Sequence, residues 1–499
     1  MSLDHALLLA AAVTLVAIGA ARLSAKVGLP ALLLFLGVGM LLGDSILGIS
    51  FSDTHLAAEL GFAALVVILA EGGLTTKWAE IRPAVGMSML LATVSVGATV
   101  AMVGAFGHYV FHLSPPVAIV LGGIVASTDA AAVFAVLRNV PIPGRLRATL
   151  EAESGLNDAP TVLIVTAATA VALGHDPEGG VWMSVVLVVV ELLAGQVLGL
   201  MVGLTAAWVM RRVQLPSSGL YAIAAVAWAF GAYELSEVLH VSGFAAAYVA
   251  SVVLGNSQLP HRQSVRAFAE GLGWIAQIGL FVMLGLLASP NRITLAVIGG
   301  ALVLGLFLLV VARPISVGIV ALWFRIPWRE QVFMSWAGLR GAVPIILCTI
   351  PLAAKVPGAE WLFDTVLVLV IVFTFVQGPT LPWAARVLGL LDPHGPTDVD
   401  IEAAPLDRLR ADLLQVRVPA GSKLAGVSVR ELRLPRNTVV SLIIRDDSPF
   451  APAGRDRLEV GDELMIITPS QSRSKVEVRL TEIGRGGRLA RWNGVRADD

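Results

Sequence analysis

Apolar runs long enough to cross a bilayer recur along most of the first 390 residues, and no other feature constrains the fold as tightly. Hydrocarbon offers no hydrogen bonds, so a spanning segment must satisfy its own backbone, and uninterrupted runs of about 20 apolar residues do so as helices. Composition agrees: 56% of the 499 residues are hydrophobic and 14% charged, with a mean hydropathy of +0.81. The runs fall at roughly 5–23, 30–48, 56–75, 83–107, 115–138, 146–173, 181–210, 217–237, 241–257, 267–288, 293–324, 330–353 and 361–389. They predict an all-α polytopic membrane protein of about 13 transmembrane helices. The eleventh run is long enough to hide a break at Arg313-Pro314, and Val376-Gln377-Gly378-Pro379 is a second candidate break. Asp4 and His5 stand where a signal peptide carries basic residues, so the first run reads as a retained span.

Loop charges give an orientation. One set of loops carries Arg22 and Lys26, Lys77 and Arg82, Arg138, Arg145 and Arg147, Arg211 and Arg212, Arg262 and Arg266, and Arg325 and Arg329. The alternating set carries Arg292 and Lys355 with Asp44, Asp53, Asp176, Glu178 and Glu360. Basic loops stay in the cytoplasm, which predicts an external N-terminus and a cytoplasmic C-terminal tail in an inner (plasma) membrane. Cys348 is the single cysteine, which excludes an internal disulfide and a cysteine-based metal site.

Composition changes after Leu391. Residues 391–405 read as a Pro- and Asp-bearing linker, and 406–499 as a small α+β module. Within it 414–418, 439–444 and 463–467 look like strands and 426–432 like a short helix.

Acids inside the apolar runs demand explanation. Asp129 and Asp158 lie near the middle of the fifth and sixth runs, where a charged side chain costs roughly 2.5–3.5 kcal/mol to insert. Ser154 and Asp158 are four apart and share one helical stripe, while Glu153 and Asn157 share the next. With the Thr128 hydroxyl or a freed carbonyl beside them, these oxygens suit a hard monovalent cation that competes with protons. Arg340, equally deep, needs an acid partner, and Glu153 is the natural one if both aspartates are kept for the ion. Glu71, near the end of the third run, is either an interfacial acid or part of an ion entrance. Asp364 and Glu234 fall toward outer ends and are expected to be solvated. No nucleophile–base motif, nucleotide fingerprint or nucleic-acid-binding pattern appears, so neither an enzyme nor a resident cofactor is expected.

"AEGGL", "STDAAAVFAVL", "EAESGLNDAPTV" and "GLRGAVPI", in their order and spacing, resemble the NhaP-type cation/proton antiporters over residues 5–390. More narrowly they resemble the potassium/proton branch associated with cell-volume regulation, and the tail resembles the C-terminal lobe of TrkA/RCK regulatory domains. The resemblance implies a homodimer, inverted repeats, and a core of crossed, unwound helices. Asp158 would be the main cation and proton carboxylate, with Asp129, Thr128 and Ser154 as neighbours around the transported K+ or Na+. Glu153 and Asn157 would pair with Arg340, and Glu71 would join a cytoplasmic funnel. Ala130 departs from the proline common in relatives, and the Asn157-Asp158 pair resembles the electroneutral class. A nucleotide-type ligand on the tail is a further expectation. The competing class is a gated cation channel with an RCK-like regulator. It is disfavoured because no selectivity-filter motif is present.

Overall fold

The computed structural model describes residues 3–27, 31–43, 48, 51, 53–129, 142–175, 180–391, 400–406, 411–419, 421–446 and 448–487. The chain divides into two compact units, Met1–Leu391 and Asp392–Asp499. The first is helical: α1 Leu3–Val27, α2 Ala31–Leu42, α3 Thr54–Thr75, α4 Val85–Val110, α5 Pro115–Ala126, α6 Gly144–Ala172 and α7 Gly180–Arg212. There follow α8 Ser218–Val238, α9 Gly243–Asn256, α10 Arg262–Leu287, α11 Leu295–Phe324, α12 Trp328–Trp336, α13 Ala342–Ala353 and α14 Ala359–Val387. Among the described residues seven helices are long and apolar enough to span a bilayer, and five apolar helices are shorter.

Helices α2, α3, α7, α8, α9 and α10 pack on one another, as do α5 with α4 and α6, and α14 with α11 and α13. Small residues permit the closest approaches. A Cβ on Gly39 would meet Gly285 Cα at 2.9 Å and one on Gly285 would meet Gly39 Cα at 2.8 Å, so α2 and α10 touch backbone to backbone.

The breaks follow local chemistry. The fifth run leaves the helix at Ala126, and Ser127 is extended; residues 130–141, including Ala130, lie outside the described set. The twelfth run is split between α12 and α13 at Ala337–Gly341. Val376-Gln377-Gly378-Pro379, read as a break, lies within the continuous α14. Its polar groups serve a neighbour instead: Gln377 Nε2 donates to Trp336 O (3.1 Å) and the Trp336 indole to Thr380 Oγ1 (3.1 Å), which fastens the end of α12. At Arg313-Pro314 the helix is not broken either. A π-helical turn, Leu308–Ala312, precedes it and absorbs the proline.

The second unit is a five-stranded antiparallel sheet: β1 Asp400–Leu406, β2 Ala411–Arg417, β3 Val439–Arg445, β4 Ser448–Phe450 and β5 Glu463–Pro469, in the order β1-β2-β5-β3-β4. Helix α15, Arg473–Gly486, contributes Val476, Leu480 and Ile483 to the core built on Leu414, Val416, Ile443, Leu464 and Ile466. Strand β1 occupies part of the segment read as linker, and the 426–432 helix is a single 3-10 turn, Val429–Leu432. Arg445 binds Asp462 through Nε and Nη2 (both 2.8 Å), and this raises its already high pKa.

Candidate functional site

The two unwound segments cross. Asp129 N–H donates to Leu339 O (2.9 Å), and the Asp129 carboxylate accepts from Ala342 N–H (3.0 Å) at the first turn of α13. A helix N-terminus presents unpaired amides and a positive dipole end, so an anion is at home there. Gly341 makes the seat possible, because a Cβ at that position would collide with the Asp129 carboxylate.

Arg340 serves the opposite helix ends. Its Nε donates to Val125 O near the end of α5 (3.3 Å) and its Nη1 to Gly338 O (2.5 Å), while Thr374 Oγ1 donates to Arg340 O (2.6 Å). Carbonyls left over where helices stop carry partial negative charge, and a guanidinium satisfies several of them at once. The expected Glu153–Arg340 pair therefore does not form. Glu153 binds Arg313 instead, Nη2 to Oε1 at 2.5 Å, with side-chain exposures of 1% and 3%. Asn157 likewise donates to Thr128 Oγ1 (2.6 Å) rather than joining Arg340, and the Thr128 and Ser154 hydroxyls share a 2.9 Å hydrogen bond.

Asp158 is 3% exposed and Asp129 5%. Both line a narrow cavity of about 40 Å³ with Gly72, Thr76, Glu151, Gly155, Tyr248 and Val343. Asp158 Oδ1 is buried without a hydrogen-bond partner among the described residues. Pro160, two residues on, cannot donate, and Thr161 Oγ1 bonds the Asn157 and Asp158 carbonyls in its turn (3.0 and 2.8 Å).

Glu71 does not line this cavity. Its Oε2 would stand 2.5 Å from a Cβ on Gly273, so the carboxylate lies against α10. Asp364, expected to be solvated, is 3% exposed and held by Arg292 Nε and Nη2 (both 3.1 Å). Arg313, Tyr248, Thr76 and Glu151 were not singled out in the sequence as site residues. Arg313 had the same signal as Arg340, a guanidinium inside an apolar run, whereas the other three become visible only when α3, α6 and α9 are brought together.

A helical membrane unit with crossed helix breaks and buried acids on a cavity defines a transporter. The transmembrane sodium/hydrogen exchanger family model matches residues 10–387 and the TrkA-C domain model residues 413–481. The chain belongs to the sodium/hydrogen exchanger family, and is an integral membrane transporter rather than an enzyme. It is 34% identical to the K(+)/H(+) antiporter NhaP2 of Shewanella baltica over 94% of this chain and 82% of that protein. It is 31% identical to the K(+)/H(+) antiporter NhaP of Alkalimonas amylolytica over 91% of this chain and 79% of that one. The sodium proton antiporter MjNhaP1 of Methanocaldococcus jannaschii shares the fold, with a TM-score of 0.64 at 19% identity, over 76% of this chain and all of that one.

Proposed function

We propose that the protein is a secondary antiporter exchanging K+ for H+, one for one, with Asp158 as the carboxylate that holds either ion. The observation that carries the reading is the state of the buried acids. Asp129 is engaged by an α13 amide, Glu153 is ion-paired with Arg313 although its oxygens make no hydrogen bond, and Asp364 is held by Arg292, whereas Asp158 faces the cavity with Oδ1 unpartnered and in no ion pair among the described residues. A buried carboxylate with an unpartnered oxygen on a cavity and no ion pair can trade a proton for a cation, and alternating exposure then couples the two fluxes. Asp129, Thr128 and Ser154 border the ion, and Glu153, Arg313, Arg340 and Asn157 hold the break in shape. Glu71 joins the cytoplasmic approach only through a rearrangement of α3 against α10.

Potassium is favoured over sodium because two relatives are named for K+ and because a TrkA-C domain follows the membrane unit. Residues 1–390 form the transport domain of a homodimer with inverted repeats in the plasma membrane, its N-terminus outside. The 406–499 module lies in the cytoplasm and biases the cycle through a nucleotide-type ligand. The test is proton movement in everted vesicles titrated with K+, Na+, Li+ and Rb+. A response to K+ at the lowest concentrations supports the reading, and uncoupled cation current without proton movement would refute it.

A further inference from the structure

One wall of the cavity is not used by the exchange chemistry. Glu151, Gly155 and Asp158 lie along one stripe of α6, with Gly155 between the two acids. Glu151 precedes Asp158 by seven residues, about 10 Å along the helix axis. Opposite them stands Tyr248 on α9, a helix that packs mainly on α3 and α7. Tyr248 is 7% exposed. A Cβ built on Gly155 would stand 2.9 Å from Tyr248 Cε2 and 3.0 Å from both Cζ and Oη, so the phenol rests on the α6 backbone one turn from Asp158. Thr76 lines the same cavity, and its Oγ1 donates to Gly72 O (2.6 Å). The cavity of about 40 Å³ has room for only a few waters, since each needs about 10–15 Å³ of such space.

We propose that Tyr248 is the gate of this cavity. Its ring, seated on Gly155 between the two acids, stands between buried Asp158 and half-buried Glu151, and a monovalent cation passes when the ring swings off α6. Tyr248 is thus a gating residue and not a cation ligand. Because α9 and α6 pack mainly on different neighbours, a relative shift of the two moves the ring without any change at the aspartates. The proposal rests on the reading of Asp158 as the exchanging carboxylate.

The test separates the two. Purified full-length protein is treated with a water-soluble carbodiimide, and modification of Asp158 is followed by peptide mass spectrometry with and without K+. Tyr248→Ala should be modified several-fold faster than wild type and show a raised KM for K+ in liposomes. Tyr248→Phe, which keeps the ring and loses the hydroxyl, should fall between them, and Tyr248→Leu is run beside Ala so that a folding defect in one does not decide the outcome. Gly155→Ala should alter the labelling rate through its contact with the ring and lose that effect in the Tyr248→Ala background. Wild-type labelling and KM in all three Tyr248 variants, with K+ still protecting Asp158, would overturn the gate. Failure of K+ to protect Asp158 in wild type would instead overturn the assignment of Asp158.

Discussion

Replacing Glu153 by Gln tests the network that holds the two helix breaks in place. The Glu153 and Arg313 side chains are 1% and 3% exposed and 2.5 Å apart. A Cβ on Gly338 would stand 2.9 Å from Arg313 Nε and 3.4 Å from Arg340 Nη1, so both guanidinium groups flank the same glycine. Removing one partner of a buried pair costs about 3–5 kcal/mol. Glu153→Gln belongs at the top of that range, because it leaves two buried cations side by side. Arg313→Gln belongs at or below the bottom, because Glu153 can turn toward Arg340. The double variant Glu153→Gln/Arg313→Gln should then recover about 2–3 kcal/mol relative to the sum of the singles. Glu153→Gln/Arg340→Gln should recover less, because Arg340 is held by the Val125 and Gly338 carbonyls, which stay in place. Equilibrium unfolding in mixed micelles, titrated with SDS and followed by tryptophan fluorescence, measures wild type, the three single variants (Arg340→Gln included) and the two doubles. Additive losses for Glu153 and Arg313, or a coupling of Glu153 to Arg340 as large as that to Arg313, would refute the assignment of the pair.

Three further outcomes follow. Asp158→Asn should abolish cation-dependent proton movement while the protein stays folded and inserted, and any retained exchange in purified variant protein would rule out Asp158 as the exchanging group. Gly341→Ala should push the Asp129 carboxylate off the Ala342 amide, and losing a hydrogen bond to a charged group costs about 1.5–3 kcal/mol. At least a tenfold loss of apparent K+ affinity is expected, since about 1.4 kcal/mol is tenfold, and wild-type affinity in a liposome flux assay would contradict it. Truncation after Leu391 should leave exchange intact with an altered response to pH or K+, whereas a stable truncated protein with no exchange would make the tail part of the transport machinery.

Much of this was legible in the sequence, in proportion to how local the signal is. Most apolar runs placed a helix to within a few residues, because burial in hydrocarbon is a property of each segment alone, but the second and fifth runs extend past the helix ends at Leu42 and Ala126 and the twelfth is two helices. Three of the tail strands were legible from β-branched runs, and α15 could have been found from Val476, Leu480 and Ile483 at helical spacing. Irregular helix at Thr128 and around Arg340 was anticipated from polar residues, glycines and proline in apolar surroundings, and its crossing only from the family resemblance. Partner choice was not. Glu153 has two buried arginines within reach, and which one it binds depends on how α11 docks beside α6, a relation no spacing encodes. Asp364 was misplaced for a similar reason, since its partner Arg292 lies on the connection between α10 and α11, 72 residues away. Gln377-Gly378-Pro379 read as a break because proline and glycine were weighed for their own helix, while the structure uses that stretch to fasten α12.

The charges around the crossing also bear on stoichiometry. Arg340 answers the carbonyls left where α5 and α12 end, and Asp129 answers an amide at the start of α13, so each break is matched by a side chain of the appropriate sign. Among the described buried groups at the crossing, Glu153, Asp129 and Asp158 are acids and Arg313 and Arg340 are bases. One negative charge is left over when Asp158 is ionised. A proton on Asp158 cancels it, and so does one K+ or Na+ beside it. On the proposed one-for-one exchange, proton-loaded and cation-loaded sites would carry the same charge through the bilayer, and the membrane potential would do no net work on the exchange. This balance supports one proton per monovalent cation. The expected result in proteoliposomes on a solid-supported membrane is proton–cation exchange with no steady current and no dependence of its rate on an imposed potential. Neutralising one base shifts the balance, so Arg313→Gln should leave both loaded forms one charge more negative while they remain equal to each other. Exchange in that variant, where it stays folded, should still be electroneutral. A steady current in wild type would mean that a second proton travels with Asp158, and Asp129 would then be the group to carry it.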